Sequence, residues 1–155
     1  MIRVITNSTP TQIALSVFRV AFFADADNIE KLRNVIGTFY ETKMIPPFSS
    51  SNEMIVMKQL IKQSRSMLRA YPRTQKGDED ILLNEDLTTN HRNALILTME
   101  EKKNLNNLIS WAERVLDLLM MKRSEAIRLL QTHKVNSLYL TDVLLPLLER
   151  EEREN

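Results

Sequence analysis

Two glycines in 155 residues, Gly37 and Gly77, constrain this chain more than any other feature. Glycine supplies the positive-φ positions of tight hairpin turns and lets a backbone approach a phosphate closely. Its scarcity argues at once against an all-β fold, a dinucleotide-binding Rossmann domain and a P-loop. An all-α chain needs few glycines, and the hydrophobic periodicity agrees with that class.

The expected architecture is a compact single domain over residues 1–155, with about six or seven helices joined by short connections. The chain length suits one domain, which buries roughly two thirds of the surface its unfolded form exposes. Residues 1–8, with Ile2 to Ile5, read as an extended arm. Thr9-Pro10 then reads as an N-cap followed by proline at the first helical position. The helix this opens is apolar apart from Gln12, Ser16 and Arg19, which predicts a wet polar stripe on an otherwise buried element. Asp25 or Asp27 caps a second helix carrying Ile29, Leu32, Ile36, Phe39 and Tyr40 on one face, which Pro46-Pro47 ends.

Ser50-Ser51-Asn52-Glu53 matches a capping box, in which Ser50 and Glu53 satisfy each other's amides. Beyond it Met54, Met57, Ile61, Ser64, Leu68 and Tyr71 form a seam stepping by threes and fours, and Pro72 stops the helix. Residues 73–88 are rich in Asp and Glu and contain Gly77, and are expected to be a mobile acidic loop. Thr88 or Thr89 opens a short helix through Leu97. A second capping box at Thr98-Met99-Glu100-Glu101 then starts the longest periodic segment, with the seam Leu105, Leu108, Ala112, Val115 and Leu119. Ser124 restarts a helix that ends near Lys134, and a last helix covers roughly Thr141 to Arg150. Pro146 suits that helix only if it begins close to Thr141, because first-turn amides have no helical partner. Residues 149–155 read as a solvated charged tail.

Composition removes several function classes. The chain has no cysteine, which excludes disulfides, thiolate metal sites, iron–sulfur clusters and a cysteine nucleophile. The net charge is +1, from 21 basic and 20 acidic residues, so any anionic partner must be met by a local patch. The apolar runs Val20–Ala24 and Val115–Met121 are far short of a membrane span, and the first residues lack a secretory leader pattern. The expectation is an intracellular, cytoplasmic protein. His91 and His133 stand 42 positions apart with no carboxylate or second histidine at ligand spacing. No catalytic, cofactor or metal constellation is read, so the chain is expected not to be an enzyme.

Two surfaces remain. Lys58, Lys62, Arg65 and Arg69 are spaced four, three and four, which places them on one helix face. Such a stripe suits an anionic partner, with Ser64 and Ser66 as added hydrogen-bonding groups, or else the chain's own acidic loop. Leu140, Leu144, Leu147 and Leu148 form an apolar face that either closes the core or meets a partner helix or a second copy. The last two segments have helix–turn–helix proportions but are too apolar for base readout. Met54, Met57, Met67, Met120 and Met121 fall on or near the seams and are read as core filling, with Met120-Met121-Lys122-Arg123 the one place for an exposed adaptable patch instead. The leading expectation is a helical protein-interaction module: an adaptor, assembly or inhibitory accessory protein. A nucleic-acid-binding accessory protein using the basic stripe is the alternative, and a small viral or phage accessory protein is a third reading.

Overall fold

The computed structural model describes residues 9–22, 45–84, 86–132 and 137–154, together with Arg33 and Gly37. Among these residues there is no strand, and the chain is all-α. The helices are α1 (Thr9–Ala21), α2 (Ser50–Ala70), α3 (Gln75–Asn84), α4 (Thr89–Met120), α5 (Arg123–Thr132) and α6 (Leu145–Arg153). A π-helical turn at Leu140–Leu144 leads into α6. The extended arm, the caps and apolar face of the expected second helix, and His133 lie outside the described residues. Gly37 itself is helical and exposed, with open space where a Cβ would sit.

The long helices α2 and α4 share the largest interhelical contact. Their seams fall where the spacing predicts. Met57, Ile61 and Ser64 of α2 and Ala112, Val115 and Leu119 of α4 are buried. Ala126 and Leu130 of α5 and Leu144, Leu147 and Leu148 at the C-terminal end complete the core. Trp111 meets Tyr139 edge-on, with ring centroids 4.9 Å apart.

The first helix inverts the sequence expectation. Ser16 and Arg19, expected on the wet stripe, are 1% and 5% exposed, while Val17 is 57% exposed. The reason is a polar socket on α2. Arg19 Nε donates to Glu53 Oε2 at 2.9 Å and Nη2 to Glu53 Oε1 at 2.6 Å. Its third arm, Nη1, donates to the Ile45 carbonyl at 2.5 Å, and the Ile45 amide donates to Ser16 Oγ at 2.9 Å. Tyr139 adds a hydroxyl donated to Glu53 Oε1 at 2.6 Å. Burial, reinforced by the Glu53 charge, pushes the Tyr139 phenol well above its ordinary value, so it stays a donor. A buried carboxylate must be paired and hydrogen-bonded, and here three donors meet it.

Glu53 therefore does not close a capping box. The cap of α2 is Ser49, whose hydroxyl accepts from the Asn52 amide at 3.1 Å. Ser50, one residue on, gives both its amide and its hydroxyl to the Glu151 carboxylate, at 2.7 and 2.6 Å. The second expected box is absent too. α4 runs unbroken for 32 residues from a cap at Thr88. Thr98 lies in its interior and turns its hydroxyl back to the Ala94 carbonyl at 2.9 Å, a bond open to any mid-helix threonine.

The expected acidic loop contains α3. Thr74 caps that helix by accepting from the Gly77 amide at 3.1 Å. Asp78, 1% exposed, receives hydrogen bonds from the Lys102 ammonium and from Arg73 Nε, the latter at 3.0 Å. Lys102 also donates to the Arg73 carbonyl at 2.8 Å and lies 4.9 Å from the centre of the Tyr71 ring. One of the acidic residues that suggest a loop, Asp78, is thus what docks the segment onto α4.

Pro146 is accommodated differently from the expectation. Helical structure begins at Leu138, eight residues earlier, and widens into the π-turn just before the proline. A wider turn shifts the hydrogen-bond register where the missing amide would otherwise leave a carbonyl unmet. The charged end is also ordered: α6 continues to Arg153, Arg150 donates to the Phe48 carbonyl at 3.0 Å, and Arg123 pairs with Glu151 at 3.0 Å.

Two predictions test these placements. Arg19→Ala leaves Glu53 buried without its counter-ion and is expected to cost roughly 3–5 kcal/mol in urea unfolding, while Val17→Ser costs under about 0.5 kcal/mol. The reverse ranking would put the polar stripe back in solvent. For Asp78, burial alone raises the carboxyl, but the bonds from Lys102 and Arg73 outweigh it and hold the group below its ordinary value. A depressed folded pKa gives stability that is complete above the unfolded value, about 3.9, and is lost as pH falls through the folded value. Asp78→Asn should lower stability at neutral pH and flatten the acid limb of a pH series of unfolding midpoints. An acid limb identical to that of the parent would remove Asp78 as its source.

Candidate binding cleft between α2 and α4

Side chains of α2 that follow the buried seam by one position emerge at the edge of the α2–α4 contact. Lys58, Lys62, Arg65 and Arg69 follow Met57, Ile61, Ser64 and Leu68 in this way, so the seam that builds the core also sets their common face. All four are exposed. They line an open cleft of about 480 Å³, with Ile61 and Leu116 as its apolar lining and Glu113 of α4 at its wall.

Arg65 Nη2 bonds Glu113 Oε1 at 2.6 Å, and both side chains remain about half exposed, at 54% and 44%. Among the described residues, Lys58, Lys62 and Arg69 form no ion pair. Among the described residues of the acidic segment 73–88, none pairs with the stripe, and Asp78 is taken by Lys102 and Arg73. Glu101 is likewise engaged, accepting from the Tyr71 hydroxyl at 2.8 Å.

The other sequence candidates separate clearly. Ser66 is exposed beside the stripe, but Ser64 is 2% exposed and faces the core. The leucine face is occupied by the chain itself. Leu144, Leu147 and Leu148 are 0%, 3% and 2% exposed, and Leu140 is half-buried against the same cluster. Their alternative reading, closing the core, is the one the packing adopts, because α5 and α6 need an apolar face to seal. Of the methionines read as core filling, Met67, Met120 and Met121 are exposed instead, the last two at the end of α4 where the adaptable patch is the alternative. His91 is an exposed residue of the first turn of α4, its amide held by Thr88. Among the described residues, no three His, Asp or Glu side chains are grouped to hold a metal ion. No described helix is long and apolar enough to cross a membrane.

Sequence reasoning misses Glu113 and Leu116. Arg65 and Glu113 are 48 positions apart, and no local spacing links them. The signal was the matching heptad phase of the two long seams, which brings their flanking positions side by side.

The family described as Rubisco LSMT substrate-binding matches residues 5–105 of the chain, well over half its length. The chain belongs to that family. Comparison with curated proteins and with solved structures finds no match. The family match takes in α1, α2, α3 and the first half of α4. All four stripe cations therefore lie within the family region, while Glu113 and Leu116 lie beyond it.

The Arg65–Glu113 pair is exposed, so its coupling energy in a double-mutant cycle is expected to be under about 1 kcal/mol. Arg65→Ala and Glu113→Ala proteins should unfold close to the parent. A coupling well above that range would make the pair a structural clamp between α2 and α4 and not an available surface.

Proposed function

We propose that the chain is a non-catalytic helical module that binds a protein, serving as the substrate-holding part of a methyltransferase. The observation that carries this reading is the family membership over residues 5–105. The α2–α4 cleft supports it, being an open surface on the matched helices with three rim cations that make no ion pair among the described residues. The absence of catalysis from this module is supported by how the perturbed ionisable groups are used. Among the described residues, Arg19, Tyr139 and Asp78 are committed to buried structural contacts, Tyr71 is raised by its hydrogen bond to Glu101, and none of the four lines the cleft. A catalytic acid or base needs its shifted group where a reacting atom can reach it.

The test is capture by the immobilised chain, followed by separate protease and nuclease treatment of the bound fraction. A saturable protein ligand that survives nuclease is expected, and the chain alone should transfer no label from a methyl donor to it. Retention that nuclease abolishes, or methyl transfer by the chain alone, would overturn the reading.

A further inference from the structure

We infer that the α2–α4 cleft takes an acidic segment of the bound protein, with Glu113 acting as an internal competitor that the segment's carboxylate displaces from Arg65. This rests on the protein-binding reading above and names the surface and the partner chemistry.

The argument starts from charge. Lys58, Lys62, Arg65 and Arg69 face one cleft, and among the described residues that line it Glu113 supplies the one carboxylate. Four cations against one anion leave an excess of positive charge in a chain whose overall balance is nearly neutral. Three of those cations make no ion pair among the described residues, and the fourth holds a pair exposed enough for exchange with a second carboxylate. An arginine fork binds a carboxylate through two parallel donors, so a ligand carboxylate can replace Glu113 on the same group.

The apolar lining decides between classes of anion. Ile61 and Leu116 give the cleft an aliphatic surface between its cations, and no aromatic side chain lines it. A peptide can set an apolar side chain beside its acidic ones. A nucleic-acid strand would present bases that need a stacking platform, which this lining does not offer. The cation spacing along α2, about one helical turn per charge, suits carboxylates at alternate or nearby positions of a peptide.

The experiment uses the full chain and fluorescence anisotropy with three labelled probes: a peptide alternating Glu and Leu, the same peptide with Gln for Glu, and a single-stranded RNA. The Glu peptide should bind, weaken as salt rises, and outcompete the other two. Lys62→Glu with Arg65→Glu should weaken it about ten-fold or more, with helical content by circular dichroism unchanged because both side chains are exposed. Glu113→Gln should tighten it by about three-fold, because it removes the carboxylate that both occupies Arg65 and repels the acidic segment. Undiminished binding of the Glu peptide to the doubly reversed variant, equal binding of the Gln peptide, or tighter binding of RNA would each overturn the proposal. The reversed variant also separates the two claims. If it still captures the protein ligand found with the parent chain, docking lies elsewhere and the cleft proposal falls while protein binding stands.

Discussion

The Arg19–Glu53–Tyr139 cluster is the interaction on which the arrangement of this chain depends. It joins α1, the N-terminal turn of α2 and the segment entering the π-turn, elements separated by 34 and 86 positions of sequence. Apolar stripes are permissive about register, because one leucine can replace another after a small slide. A guanidinium bound to both oxygens of one carboxylate, and by its third arm to the Ile45 carbonyl, admits one placement. Such a cluster contributes little net stability over a well-packed apolar substitute, since both charges lose their hydration. Its effect is positional: it fixes how α1 lies on α2.

The same device recurs at the other end of the bundle. Lys102 and Asp78 are 3% and 1% exposed at the side chain, and they hold α3 against the N-terminal half of α4. α3 brings few apolar groups to that contact, with Asp78 its buried residue. A helix with so little apolar surface cannot dock by the hydrophobic effect alone. Glu151 does similar work at the C-terminus, receiving the Ser50 amide and hydroxyl and the Arg123 guanidinium. The central pair α2–α4 is held by apolar seams, and the shorter helices around it are oriented by buried or half-buried charge.

This division explains what the amino-acid sequence revealed. The seams of α2 and α4 were legible because a three–four hydrophobic spacing reports burial directly. The basic stripe followed from the same spacing, one position along. Arg19, Glu53, Asp78 and Lys102 were illegible for the complementary reason. A charged residue in a sequence signals solvent by default, and its burial depends on a partner whose position only the folded chain supplies. Glu53 was doubly obscured, since Ser50 and Glu53 sit at capping-box spacing while the working cap is Ser49. Thr98 shows the same ambiguity, for a threonine three residues before a glutamate is compatible with both a helix start and a helix interior.

The cleft inherits its rigidity from the core beneath it. Ile61 is 8% exposed, so it belongs to the buried seam and to the cleft lining at once, and Leu116 packs against the same cluster from α4. The helix axes and the apolar surface are therefore set before any ligand arrives, and the ordering left for binding falls on long cationic side chains. That ordering costs about 0.5–1.5 kcal/mol for each side chain immobilised. Arg65 is already oriented by Glu113, so a carboxylate that displaces Glu113 meets a guanidinium with much of that cost removed. The exchange replaces one exposed ion pair by another of similar strength, which makes the net gain depend on the neighbouring Lys58, Lys62 and Arg69. A segment with one carboxylate would gain little from such a swap, whereas one with several would engage all four cations. The geometry thus favours clustered acidic character in a partner over any single charge.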